Sequence, residues 1–300
     1  MNQRFTPCHF ASATYPAEAR CRMSDAAPGK NLKRRVLTAV CLIPSALAAI
    51  VYLPIPALAL LFGAVAALGA AEWARLAGFE SLAGRYGYVI VFVALLLGIY
   101  PFTAAWPPLL WLALAWWVVA LALVVATLRG MALPALGRGA KAVIGLLVLV
   151  PTWGALLLLQ RQHGAVAVIW LMLLVWGADS AASFAGRRWG RRRLAPSISP
   201  GKTWEGLAGA LAATLCCALI AALATHMAYR DAVSFTLLSV VTVMASVLGD
   251  LVESLFKRQA GLKDSGSLLP GHGGVLDRID SLTAAAPVFA LGLAVLEVAL

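Results

Sequence analysis

Long uncharged stretches dominate this sequence. From residue 36 onward they approach about 20 residues, the length that an α-helix needs to cross a bilayer. Of 300 residues, 62% are hydrophobic and only 12% are charged, and the mean hydropathy is +0.87. A soluble domain of this size needs a more polar surface, whereas a helical chain in lipid bonds its own backbone groups. The sequence therefore predicts an all-α, polytopic integral membrane protein.

The apolar stretches predict about nine transmembrane helices. The boundary between the third and the fourth rests on Trp106-Pro107-Pro108, because proline ends a helix or restricts the residue before it. Eight or ten spans are the alternatives. The nine expected spans are Val36–Leu53, Pro56–Leu76, Tyr86–Ala105, Trp106–Leu128, Ala142–Leu159, Gly164–Ala185, Gly206–Tyr229, Ala232–Phe256 and Ser281–Leu300.

The distribution of basic residues predicts the orientation. With nine spans and a cytoplasmic N-terminus, 22 of the 24 Lys and Arg residues fall in cytoplasmic segments, and only Arg161 and Arg230 fall outside. This asymmetry is typical of membrane proteins. The Lys and Arg residues that give the net charge of +11 are therefore expected on the cytoplasmic face of the membrane, and we expect no nucleic-acid partner.

Three regions are expected along the chain. Residues 1–33 show no apolar periodicity and are interpreted as a disordered or non-native extension, with Met23 as a second candidate start. Residues 34–163 would hold spans one to five. Residues 164–300 would form a catalytic region of spans six to nine, with cytoplasmic loops at 186–205 and 257–280. The five cysteines show no metal-ligand spacing.

Acidic residues gather around these two loops. Asp250, Glu253, Ser254 and Lys257 follow one another at helical spacing and share one face. A solvated helix end with internal ion pairs is the structural alternative, but ionisable groups at membrane depth are costly and indicate function. Asp179 lies inside the sixth expected span and should face the bundle interior, where a helix-internal hydrogen bond is the alternative.

The second loop alternates cations with carboxylates around a glycine cluster. This order suits a polyphosphate bound with a divalent metal: carboxylates hold the ion, Lys and Arg neutralise phosphate, and glycines let backbone N–H groups approach. A salt-bridge network alone would need no glycine cluster. The run reads Lys257-Arg258, Lys263-Asp264, Pro270-Gly271-His272-Gly273-Gly274 and Asp277-Arg278-Ile279-Asp280.

The first loop contains Gly201-Lys202-Thr203, which looks like the end of a phosphate-binding P-loop. The first glycine of that pattern is replaced by Pro196, and we expect no strand before it, so the P-loop interpretation fails. A smaller expectation remains: Ser199, Lys202 and Thr203 contact phosphate just before the next helix. Trp204 is interpreted as a membrane anchor.

At these residues the sequence resembles the phosphatidate cytidylyltransferases, also called CDP-diacylglycerol synthases. The stretch Ser254–Asp280 carries the family signature: Ser, Lys-Arg, Lys-Asp, a Pro-x-His-Gly-Gly turn and Asp-Arg-x-Asp. The resemblance extends upstream through the Ser199–Gly206 loop to the Asp179 helix and covers about the last 120 residues well. One departure is Ser183, which stands where the family commonly has Tyr.

The resemblance implies that CTP and phosphatidate react to give CDP-diacylglycerol and pyrophosphate, with Mg²⁺, at the cytoplasmic surface of the bilayer. It also implies a homodimer. A phosphatidate oxygen that attacks the CTP α-phosphorus is already ionised near neutral pH, so little general-base help is needed. The chemistry instead requires charge neutralisation and in-line positioning.

Roles can be assigned on this basis. Asp250 and Asp277 are the first choice of magnesium ligands, with Asp264 and Asp280 second, and Asp179 could bind a second cation. His272 would donate to a phosphate oxygen. Two or three of the candidates should prove structural. The predicted catalytic residues are Asp250, Lys257, Lys263, Asp264, His272, Asp277, Arg278 and Asp280, and the predicted substrate-binding residues are Asp179, Ser199, Lys202, Thr203, Ser254, Arg258, Gly273 and Gly274.

Two other functions are alternatives. A CTP-dependent lipid-alcohol kinase would use similar loops but would need a base to take the alcohol proton. An ion-coupled transporter could use Asp179 and Asp250 as coupling carboxylates. It would also need midplane carboxylates, broken helices and inverted repeats, which the sequence does not show.

Overall fold

The computed structural model describes residues 44–102, 106–131, 136–266, 268 and 273–296. Helices dominate these residues, which confirms the all-α prediction. The expected extension at 1–33 lies outside the described residues, and so does His272.

Eight helices are described. Seven of them, α2 to α8, are long and apolar enough to cross a membrane. The count of nine spans stays a prediction. The first helix, α1, is described over residues 44–52, and the others are α2 Ile55–Ala77, α3 Leu82–Ile99, α4 Trp106–Leu128, α5 Arg138–Trp189, α6 Trp204–Ala224, α7 Tyr229–Gln259 and α8 Leu276–Leu296.

The longest helix, α5, consists of two arms that meet at Gly164. Its φ of 70° and ψ of −166° are a conformation that is essentially restricted to glycine. Thr152 on the first arm donates to the carbonyl of Thr283 at 3.0 Å, and Asp179 on the second arm lies close to Ser281. In a straight helix Thr152 and Asp179 would lie about 40 Å apart. The arms therefore fold back on each other, and they coincide with the fifth and sixth expected spans.

Local signals explain where α3 and α4 begin and end. Ser81 caps α3, since its hydroxyl accepts a hydrogen bond from Gly84 N at 3.1 Å, and the helix starts earlier than expected. It ends at Ile99, before Pro101. The next helix begins at Trp106, as the following prolines predict.

A short β-hairpin lies between α5 and α6. Strand β1, Arg193–Ala195, pairs antiparallel with β2, Ser199–Thr203. The expectation that no strand precedes Gly201-Lys202-Thr203 is therefore wrong, because β1 comes before them. These residues lie within β2 itself, whereas a P-loop follows its strand, so the P-loop interpretation still fails. Thr203 then caps α6 by accepting a hydrogen bond from Gly206 N at 3.1 Å.

The last helix, α8, lies near the centre of the bundle and packs on α7 and on both arms of α5. Small buried residues, Ala284 to Ala286, allow this close approach. By contrast, the outer faces of α3, α4 and α6 expose large apolar side chains such as Ile90, Val118 and Ile220, as a lipid-facing surface requires. The ends of α5 and α7 meet the starts of α6 and α8.

Candidate functional site

A cavity of about 710 Å³ lies at this meeting of helix ends and is also bordered by the β-hairpin. Its wall combines acidic and basic side chains with small and apolar residues. The charged lining residues are Asp179, Arg187, Arg193, Lys202, Asp250, Asp277, Arg278 and Asp280. The two first-choice magnesium ligands, Asp250 and Asp277, thus border one cavity although different helices carry them.

The ion pair between the β-hairpin and α7 is the shortest in the described residues. Lys202 Nζ lies 2.6 Å from Asp250 Oδ2, and the two side chains are 22% and 26% exposed. Ser254, one turn along α7, donates to Asp250 Oδ1 at 3.3 Å. Asp250 is therefore held by a flexible cation and a weak hydrogen bond, and both can be exchanged for a ligand.

Two further carboxylates share this cavity. Asp280 accepts a hydrogen bond from Ser281 N at 2.7 Å and lies close enough to Asp250 for the two charges to repel. Asp179 lies near Lys202 and Arg278, which attract it. The prediction that Asp179 faces a polar interior is consistent with this position. The arrangement concentrates negative charge, which Lys202 and Arg278 balance in part.

Asp277 differs from these carboxylates because the protein already surrounds it with donors. Lys257 Nζ donates to Oδ1 at 2.9 Å, and Gly274 N donates to Oδ2 at 2.8 Å. Ser265 N lies 3.1 and 3.2 Å from the two oxygens. A carboxylate offers about four lone-pair sites. Asp277 thus ties the loop to the first turn of α8.

Behind the cavity, Lys257 and Glu253 form a buried pair. Lys257 Nζ lies 3.2 Å from Glu253 Oε1, and Glu253 is only 3% exposed. Neither residue lines the cavity. The expected polar face of α7 therefore serves two purposes: Asp250 borders the cavity, whereas Lys257 joins α7 to Asp277 on α8.

Other predicted residues take structural or peripheral positions. Arg258 Nε donates to the carbonyl of Ile198 at 3.3 Å and so joins α7 to the turn of the β-hairpin. Lys263 and Asp264 are exposed and do not line the cavity. The N–H of Gly274 is directed to Asp277 rather than toward the cavity. The remaining predicted residues are placed as follows: Ser199 is half-buried on β2, Thr203 lines the cavity, and Gly273 has a φ of 84°.

Sequence reasoning missed Glu72, a 3% exposed carboxylate on α2. It accepts hydrogen bonds from Ser265 Oγ at 2.8 Å, Val275 N at 3.0 Å and Leu276 N at 2.8 Å. The sequence does contain one indication that Glu72 matters, because it is the single carboxylate in the apolar stretch Pro56–Leu76. Its partners lie near residue 270, and that pairing could not be read from the sequence.

The donor set of the cavity suits magnesium. Within the described part of the chain, no group of three or more His, Cys, Asp and Glu side chains is placed to hold a metal ion alone. Mg²⁺ is usually bound by one or two carboxylates, with substrate phosphates and water completing the shell. Asp250 and Asp280 supply such a pair from neighbouring helices. Magnesium itself stays a prediction.

Comparison with known proteins gives a consistent result. The model of the cytidylyltransferase family matches residues 33–296. The chain is similar to the phosphatidate cytidylyltransferase of Pseudomonas aeruginosa, with 46% identity over 260 residues, 86% of this chain and 96% of that protein. The Haemophilus influenzae protein of the same name is 39% identical over 86% of this chain and 97% of its own length. The matched region includes all residues that line the cavity.

Proposed function

Because the chain belongs to the cytidylyltransferase family, we propose that it is a phosphatidate cytidylyltransferase, which converts CTP and phosphatidate into CDP-diacylglycerol and pyrophosphate. One observation carries the proposal: carboxylates and cations from α5, β2, α7 and α8 border a single cavity at the end of an apolar helix bundle. A membrane lipid could reach polyphosphate chemistry carried out in such a cavity.

The reaction needs charge neutralisation more than proton transfer. An ionised phosphatidate oxygen forms a bond to the α-phosphorus of CTP, and the bond from that phosphorus to the pyrophosphate oxygen breaks. Lys202 and Arg278 are placed to neutralise phosphate oxygens and the leaving pyrophosphate. Fixed helix ends hold the reactants in line, which supplies much of the rate.

Asp250 and Asp280 are the proposed magnesium ligands. Bound there, Mg²⁺ would neutralise and orient the triphosphate. Asp280 takes the place first assigned to Asp277, because donors from Lys257, Ser265 and Gly274 already occupy the oxygens of Asp277. Asp277 instead holds the start of α8, which carries Asp280.

The remaining cavity wall suits two anionic substrates, one of them a lipid. Arg187 and Arg193 border the cavity, and neither forms an ion pair with a carboxylate of the described residues, so both can attract phosphates. Leu207, Ala210 and Val247 supply an apolar lining that fits the glycerol and acyl side of phosphatidate.

The cavity is proposed to face the cytoplasm. The helix ends around the cavity carry four basic residues, Arg187, Arg188, Lys257 and Arg258. Arg161, by contrast, lies near the bend where the two arms of α5 meet. This agrees with the positive-inside distribution. The homodimer stays a prediction from the family resemblance.

Labelled CTP tests the proposal directly. Membranes that contain the protein, phosphatidate and Mg²⁺ should transfer label from the α-phosphate of CTP into lipid and release the γ-label in pyrophosphate. Transfer of the γ-label into lipid would instead show a kinase, and no labelled lipid would refute both enzymes.

The variant Asp250→Asn should insert normally but lose turnover by about 100- to 1000-fold, because it removes a charge from the reacting centre. Asp231→Asn, at the opposite end of the same helix, is the matched control and should keep its activity. Turnover like that of the wild type in Asp250→Asn would refute the site.

A further inference from the structure

We infer that Glu72 is a positioning residue: from α2 it caps the start of α8 and thereby fixes Asp280 in the cavity. Glu72 does not line the cavity and belongs to none of the charged loops. The inference rests on the proposed function, because its effect on catalysis is measured through CDP-lipid formation.

The cap satisfies donors that α8 cannot satisfy itself. The first N–H groups of a helix have no intrahelical acceptor, and a negative charge there is favourable. The Glu72 carboxylate accepts from Val275 N at 3.0 Å and from Leu276 N at 2.8 Å, although 203 and 204 residues separate the partners in sequence. A helix in the N-terminal half of the chain thus supplies the cap for the last helix.

The loop around this carboxylate is shaped to admit it. A Cβ atom on Gly266 or on Gly274 would collide with the Glu72 carboxylate. Ser265, next to Gly266, donates its hydroxyl to Glu72 and its backbone N–H to Asp277. The two carboxylates therefore hold the same short segment from opposite sides.

The consequence reaches the cavity through the first two turns of α8. Asp277, Arg278 and Asp280 follow directly after the capped residues, so a shift of the helix start would move Asp280 relative to Asp250 on α7. Misplacement of about 1 Å at a reacting centre can cost about 100-fold in rate. Glu72 can thus govern catalysis without touching a substrate.

Glu72→Gln tests this role, because the amide would direct an N–H group at backbone donors. We expect turnover to fall about 10- to 100-fold, as for residues that orient metal ligands. The half-saturating Mg²⁺ concentration should rise with an unchanged KM for phosphatidate. Glu80→Gln, an exposed change just beyond α2, is the matched control and should leave all three values unchanged.

Limited trypsin cleavage after the exposed Lys263 gives a readout that does not depend on activity. Cleavage should be faster in Glu72→Gln than in the wild type, because the loop loses its anchor. Ser265→Ala removes one of the three donors to Glu72, so it should change the cleavage rate and the magnesium dependence in the same direction but by less. The inference can therefore be tested even if Glu72→Gln does not fold.

The outcomes separate the two hypotheses. A wild-type protein that makes no CDP-lipid refutes the proposed function, while the cleavage experiment still decides whether Glu72 anchors the loop. The inference is refuted if Glu72→Gln keeps the wild-type magnesium dependence and cleavage rate, whatever its turnover.

Discussion

Two aspartates three positions apart on α8 have different surroundings. Asp277 accepts from a lysine and two backbone N–H groups, whereas Asp280 is directed toward Asp250 and the cavity. The sequence signature groups them together as Asp-Arg-x-Asp. Only the side-chain contacts show that one organises the loop and the other is available to a ligand.

Substitution of these two residues should therefore have distinguishable effects. Asp280→Asn should raise the half-saturating Mg²⁺ concentration about 10-fold or more, because it removes a proposed ligand. Asp277→Asn should lower turnover and speed tryptic cleavage after Lys263, because the loop loses an anchor. The rate of tryptic cleavage decides between them, because Asp280→Asn should leave it as in the wild type, and equal cleavage rates of the two variants would contradict the division of roles.

Residue patterns predicted several side chains that border one cavity, but they did not predict every contact. Asp250, Lys202 and Arg278 were predicted from charge and spacing, and all three line the cavity. Lys257 and Arg258 satisfy the same pattern, yet their side chains bond Asp277 and the Ile198 carbonyl. Spacing along a helix cannot show which neighbour a long side chain reaches, since that neighbour belongs to a distant segment.

At the scale of elements, the crossing of α7 and α8 sets the geometry of the cavity. A Cβ on Gly249 would lie 2.5 Å from the carbonyl oxygen of Asp280 and 3.4 Å from Ala284 Cβ. Gly249 is the direct neighbour of Asp250. The two helices thus approach each other closely where each contributes a carboxylate.

Gly249→Ala should force these helices apart. Overpacking of this kind costs about 1–3 kcal/mol, and turnover should fall with it because Asp250 and Asp280 move relative to each other. Thermal unfolding of the purified protein and CDP-lipid formation measure the two effects. Gly177→Ala is the control: no atom lies within 4 Å of the added methyl group, so stability should be kept or should rise by about 0.5–1 kcal/mol.

Hydropathy predicted the helices well and the polar connections poorly. Loop 257–280 was expected to extend to Asp280, but α8 begins at Leu276, because Glu72 accepts a hydrogen bond from the first N–H group of the helix. The hairpin escaped prediction because its strands have only three and five residues and no alternating pattern. Both features depend on contacts made after the helices assemble.

At the scale of the whole molecule, the two expected halves are interlocked. The proposed boundary at residues 163 and 164 coincides with the bend of α5. From the first half, Thr152 bonds Thr283 of α8, and Glu72 bonds Ser265 of the loop and Leu276 of α8. The N-terminal helices therefore pack into one bundle with the region proposed to be catalytic.

Site-directed labelling can test the arrangement across the membrane. Gln162→Cys, beside the bend of α5, and Lys263→Cys, in the loop before α8, are both exposed positions. In a background without other cysteines, an impermeant maleimide should label the first in intact cells and the second only after permeabilisation. Labelling of both positions from the same side would contradict the proposed topology.

The contact of Lys202 with Asp250 has a consequence for the order of events. An ammonium group 2.6 Å from Asp250 Oδ2 competes with any incoming cation for the same carboxylate. Lys202 can leave Asp250 and still have a partner of opposite charge only when a phosphate is present to bind it. We therefore expect metal and nucleotide to load together, as an exchange of counterions in which neither the lysine nor the aspartate is left unpaired.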